Sequence, residues 1–193
     1  MVHTAGMRLG IAHHFGWAVA VTASADDEVV DRRRIELVEP GTPTAPIHTD
    51  GAGLGDDELA RMVAEVWASA RRATAAALDA LTAEVGKPIL SMSLRAWPAD
   101  FPTDLDTLRR TPHEAQADSV MYRVVLAECA RDRGWELHTF DAKTVEREAA
   151  DLLGDRAEDV LHGPRARLGA PWNKDHRLAL AATVLAAADS APR

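Results

Sequence analysis

Three apolar runs of strand type fill the first thirty-eight residues, with only short turns between them and no room for a helix. Arg8 to Ala23 reads as a strand, a turn at His14-Phe15-Gly16, and a second strand through Trp17-Ala18-Val19-Ala20-Val21. Asp26-Asp27 signals the next turn, and Val29 to Val38 is the third strand. Connections this short join antiparallel neighbours, so the chain opens as a meander. Arg32, Arg33 and Arg34 next to Ile35 and Leu37 mark the third strand as a partly exposed edge. A flavodoxin-like doubly wound sheet needs helices between its first strands and ranks well behind.

The remaining elements alternate. After a Pro-, Gly- and Thr-rich loop from Glu39 to Gly55, apolar residues Leu59, Met62, Val63, Val66, Trp67, Ala70, Ala77, Leu78 and Leu81 recur at spacings of three and four or their sums. They predict a long helix from Asp56 to about Val85, ended by Gly86-Lys87-Pro88. Ile89–Leu94 is a short buried strand. A second irregular segment, 97–117, leads to a helix that Asp118-Ser119 would cap, ending at Arg133-Gly134. Trp135–Phe140 is the fifth strand. Helices follow over Thr144–Leu153, Arg156–Leu161 and from Asn173, the last preceded by a loop at His162–Pro171. Long loops of the kind at 39–55 and 97–117 are lids, binding loops or flexible segments. The order βββαβαβα implies an α/β domain, one unit over residues 1–193, with a mixed five-stranded sheet between two helical layers.

That order, and several local motifs, resemble the ribonuclease H-like superfamily and its RuvC-like branch. Gly10-Ile11-Ala12 followed by Gly16-Trp17-Ala18-Val19 resembles the branch's G-I-D-x-G…G-W-A-V opening. Asp175-His176 to Ala188 resembles its closing D-A-A-D-A-L-A-x-A-L helix, and Asp141 to Val145 more loosely its T-P-x-x-V-K turn. The resemblance implies the three-layer fold and a nuclease ancestry. The first family carboxylate falls at Ala12, the second near Arg95, Ala96 and Trp97, and only Asp175 matches a family acid by position. Two-metal nucleases need several converging carboxylates to hold cations roughly 3.5–4 Å apart.

Totals narrow the function classes. A formal charge of −8 disfavours broad, sequence-independent contact with nucleic acid or an anionic membrane. The single cysteine, Cys129, sits in a helical apolar pattern and forms no internal disulfide, which points to a reducing cytoplasm. Neither a secretory leader nor a membrane span is expected. P-loop, dinucleotide, zinc-type Cys and G-x-S-x-G motifs are absent from the sequence.

Candidate chemistry gathers where topology brings the C-terminal strand ends together. His13 and His14 end the first strand, Arg95 and Trp97 the fourth, Asp141 and Lys143 the fifth, and Pro171-Trp172-Asn173-Lys174-Asp175-His176 opens the last helix. Asp175, His176, His13 and His14 are the candidate catalytic groups, as acid–base residues or ligands of a divalent metal. Arg95 and Lys174 are candidates for holding an anion, and Trp97 and Trp172 for pocket walls. Each has an ordinary structural alternative. An acid in the first helical turn gains about 0.3–1 kcal/mol from the helix dipole alone, and adjacent strand residues such as His13 and His14 face opposite ways. Arg165 and Arg167 add positive charge in the loop before the last helix, and Tyr122-Arg123 either reach the site or pack.

Three functions follow. The first is a divergent enzyme on a phosphate-bearing or otherwise anionic substrate, including phosphodiester hydrolysis. The second is a non-catalytic binding or scaffolding module, and the third a nucleic-acid-binding protein.

Overall fold

The computed structural model describes residues 6–189. The opening meander is strands β1 (Met7–His13), β2 (Trp17–Ala23) and β3 (Val29–Glu36). Its first turn closes through the His14 N–H on the Trp17 carbonyl at 2.8 Å, with Gly16 left-handed at φ 77°. The second turn is organised by Ser24, whose Oγ accepts from the N–H groups of Asp26 and Glu28. Helix α1 (Asp56–Val85) starts with three acids, Asp56, Asp57 and Glu58, which suit the positive end of its dipole. Then come β4 (Ile89–Arg95), the one-turn helix α2 (Leu105–Leu108), α3 (Glu114–Asp132), β5 (Glu136–Phe140), α4 (Val145–Leu153), the short helices α5 (Ala157–Leu161) and α6 (Pro164–Leu168), and α7 (Lys174–Asp189). The sheet order is β3-β2-β1-β4-β5. β1 is antiparallel to β2 and parallel to β4, and β4 is parallel to β5. This is the mixed five-stranded arrangement expected from the sequence.

Side-chain alternation along the strands assigns the two faces. Leu9 and Ile11 of β1 and Ala18 and Ala20 of β2 pack beneath α1 and α3, with Val66, Leu78, Tyr122 and Leu126. Ala12 of β1 and Val19 and Val21 of β2 pack beneath α4, α5 and α7, with Val145, Leu161, Ala179 and Leu180. Small residues let α7 lie close on its face. A Cβ built on Gly10 would stand 1.8 Å from the Ala179 carbonyl oxygen, so only glycine fits there.

Three local expectations are corrected. Asp118-Ser119 does not cap α3, which begins four residues earlier at Glu114. Asp118 instead lies inside the helix, where its carboxylate accepts from the N–H groups of Ile47 and His48 in the π-type turn Pro46–Asp50. The 162–171 loop contains α6, so Arg165 and Arg167 are helical, and Arg167 pairs with Asp159 at 2.9 Å. The 97–117 segment is broken by α2, whose cap is Asp104 accepting from the Thr107 N–H at 2.9 Å.

Candidate functional site

Strand alternation splits the two histidines. His13 has the parity of Leu9 and Ile11 and meets α3, where its Nε2 lies 3.1 Å from Ser119 Oγ and accepts from Arg123 Nε at 3.3 Å. An accepting Nε2 puts the ring proton on Nδ1. His14 has the parity of Ala12 and meets α7, with Nε2 3.0 Å from Asp175 Oδ2. Its ring stacks on Trp17 with centroids 4.2 Å apart and planes 14° from parallel, and the Arg34 guanidinium lies 4.1 Å from the same indole. One peptide bond therefore joins a buried half-site to an exposed one.

The buried half centres on Arg123. It is 5 % exposed, and its Nη1 donates to the Ala96 carbonyl at 2.8 Å and its Nη2 to Ser119 Oγ at 2.7 Å. Among the described residues no carboxylate lies within ion-pair distance of it. Burial, and then the charge of Arg95, lower its pKa to about 10, so it remains a cation at neutral pH. Arg95 ends β4, is exposed, and has no acidic partner among the described residues. Burial drives the His13 pKa to about 3, helped by the charges of Arg123, Arg95 and His14, so the imidazole is neutral in the folded protein. Two guanidiniums close enough to repel, one of them desolvated, make a local excess of positive charge in an acidic protein.

The remaining candidates are placed as follows. His176 is buried and faces Asn173, its Nδ1 2.7 Å from Oδ1. Burial and the charge of Arg32 hold it below the usual histidine pKa. Asp175 thus orients His14 and not His176. Asn173 caps α7, accepting from the Asp175 N–H at 3.1 Å. Trp172 is 5 % exposed in the α7-side core and donates to the Leu161 carbonyl at 2.8 Å, so it forms no wall of an open pocket. Lys174 is exposed in the first turn of α7, without an acidic partner among the described residues. Trp97 faces an apolar cavity beside α3. Asp141 accepts from the Lys143 N–H at 2.8 Å and organises the turn into α4. Arg32 binds the loop before α7, donating to the carbonyls of Gly169 at 3.0 Å and Leu168 at 2.8 Å and to that of Pro171.

Sequence reasoning left Arg123 open between reaching the site and packing, and read Ser119 only as part of a helix cap. The available signal was an arginine in the apolar run Met121–Leu126, one helical turn after a serine.

The donor set does not suit a metal ion. Ala12, and Arg95, Ala96 and Trp97, stand where the resemblance places carboxylates, and no group of three or more His, Cys, Asp or Glu among the described residues is arranged to hold one. His13 presents its lone pair to Arg123 and Ser119, and Asp175 is engaged by His14.

No family model matches the chain, and no curated protein matches it. Among solved structures it is similar to T. thermophilus RuvC in complex with a Holliday junction substrate. The TM-score is 0.53 at 11 % identity, covering 93 % of this chain and 90 % of that one. The fold is ribonuclease H-like, of the RuvC type. No helix among the described residues is long and apolar enough to cross a membrane.

Proposed function

We propose that the protein binds a phosphate-bearing or otherwise anionic ligand at the C-terminal ends of β1 and β4, through Arg95 and Arg123, on a ribonuclease H-like scaffold that has lost the family's metal-holding carboxylates. The observation that carries this reading is Arg123, a guanidinium 5 % exposed and without a counter-charge among the described residues. A desolvated, unpaired cation is costly unless an anion completes it. Arg95, at the mouth of the same strand edge, supplies a second cation for a bidentate contact to phosphate. The similar RuvC structure holds a nucleic-acid junction, and nucleic acid is one source of such phosphates here. The net charge of −8 favours a local contact over a long backbone tract.

One feature favours chemistry on that ligand. The exposed imidazole of His14 is held by the Asp175 carboxylate, the arrangement by which an acid fixes a general base. In this reading His14 takes a proton from a water whose oxygen attacks the phosphorus of the bound ester, the P–O bond to the alcohol breaks, and the imidazolium returns the proton to the leaving alkoxide, without a metal.

The test is thermal unfolding with pyrophosphate, with Mg²⁺, and with neither. Pyrophosphate is expected to raise the midpoint of the wild type and to leave Arg95→Ala and Arg123→Gln unchanged, because a ligand of the native state stabilises it by RT ln(1 + [L]/Kd). Mg²⁺ alone is expected to shift nothing. A pyrophosphate shift that survives in both variants, or a shift with Mg²⁺, overturns the reading. Hydrolysis of bis(p-nitrophenyl) phosphate in EDTA tests the second step, with His14→Ala expected to lower the rate by about 10²-fold or more.

A further inference from the structure

We infer that a second site, separate from the arginine-lined edge, lies between α1, α3 and the 97–108 segment and takes a small aromatic cation. Side chains and backbone there enclose a cavity of about 280 Å³. Its walls include the rings of Trp67, Trp97 and Phe101 together with Pro102 and Met121. The volume is at the small end of ligand pockets and suits one or two fused rings with a short chain. Neither Arg95, Arg123, His13 nor Ser119 lines it, so it does not rest on the anion-binding reading.

The sign of the ligand's charge follows from the one charged side chain in the lining. Asp118 is 1 % exposed, and among the described residues no Lys or Arg pairs with it. Its oxygens accept only backbone N–H groups: the Ile47 N–H is shared between Oδ1 at 3.1 Å and Oδ2 at 3.2 Å, and Oδ2 also accepts from His48 at 2.8 Å. The nearby His48 imidazole is turned to Glu114, with Nδ1 2.6 Å from Oε1. Each carboxylate oxygen has two lone pairs, so Oδ1 keeps an unused acceptor position. Trp67, Trp97 and Phe101 add aromatic surface on which a ring stacks and whose faces, where presented, attract a cation. An ammonium at Asp118 Oδ1 with its ring against the aromatic walls gives that carboxylate, held by backbone N–H groups alone, the counter-charge it lacks.

The site is tested by calorimetric titration with tryptamine and with its uncharged counterpart tryptophol. Tryptamine is expected to bind saturably and about tenfold or more tighter than tryptophol, as a hydrogen bond to a buried charge requires. Asp118→Asn keeps one acceptor oxygen at the Oδ2 position, which already accepts from both the Ile47 and His48 N–H groups, and is expected to erase that preference. Val124→Trp, which fills the cavity from α3, is expected to abolish binding of both. Leu108→Trp does the same from α2 and serves where the first variant fails to fold. Equal affinity for the two probes overturns the inference, as does binding that persists in a folded cavity-filled variant or the absence of saturable binding to the wild type.

Discussion

His13 makes the folded protein sensitive to acid. Its folded pKa of about 3 lies well below the ordinary value of 6.5. Between those two values the unfolded chain takes up a proton that the folded chain refuses. Stability from this residue is therefore complete above pH 6.5 and is lost as pH falls toward 3, by at most about 1.4 kcal/mol per pH unit. His176, whose pKa is also lowered, acts in the same direction. Urea unfolding at pH 7.5 and 5.5 is expected to show a drop in wild-type stability that His13→Gln reduces by about 1 kcal/mol. An equal drop in both proteins would show that His13 does not resist protonation. The residue scale is also where the sequence was least legible. His13 and His14 could be named as candidates, and the period of two already sent them to opposite faces. Asp175 could be named too, but its partner could not, because His14 and Asp175 are 161 residues apart. Arg123 hid in a helix whose own sequence gives no sign of which arginine a neighbouring strand end will cover.

At the level of elements, α7 rests on β1 through a contact that only one residue type permits. Gly10 sits under the Ala179 carbonyl with no space for a methyl group. Gly10→Ala must push the helix off the sheet or bend the strand, and is expected to cost about 3 kcal/mol in denaturant unfolding. Because α7 carries Asp175 and His14 directly follows β1, the same substitution is expected to weaken the His14–Asp175 pair, read as a change in the His14 imidazole chemical shifts by NMR. Unchanged stability would mean that the two backbones are not in contact. Long elements were legible because their periodicity is repeated many times, as in α1. The start of α3 was not. Its N-cap, His113, makes no side-chain capping bond, whereas Asp118-Ser119 has the composition of a cap without being one. Helix α6 is five residues long and too short to show a period.

Across the whole molecule, one sheet separates two apolar layers, and each depends on the sheet that both share. Leu126 packs in the α1–α3 layer and Leu180 in the α7 layer, and both are fully buried. Leu126→Ala and Leu180→Ala are each expected to lower stability by about 2–5 kcal/mol, with far-ultraviolet dichroism and tryptophan fluorescence moving in one coincident transition. Separate transitions would show that the layers melt independently. The architecture could be read from the sequence because three strands in thirty-eight residues leave few topologies, and the later alternation of strand and helix leaves fewer. The chemistry could not, because it depends on which buried charges the packing leaves without a counter-charge. Arg123 is such a charge, and its isolation bears on how long the protein survives in a cell. A fold that holds an uncompensated cation opens more readily when empty than when an anion covers it, and proteases act on the open form. If the proposed anion site is right, the steady-state amount of this protein rises and falls with the supply of that anion, making abundance itself a gauge of that supply.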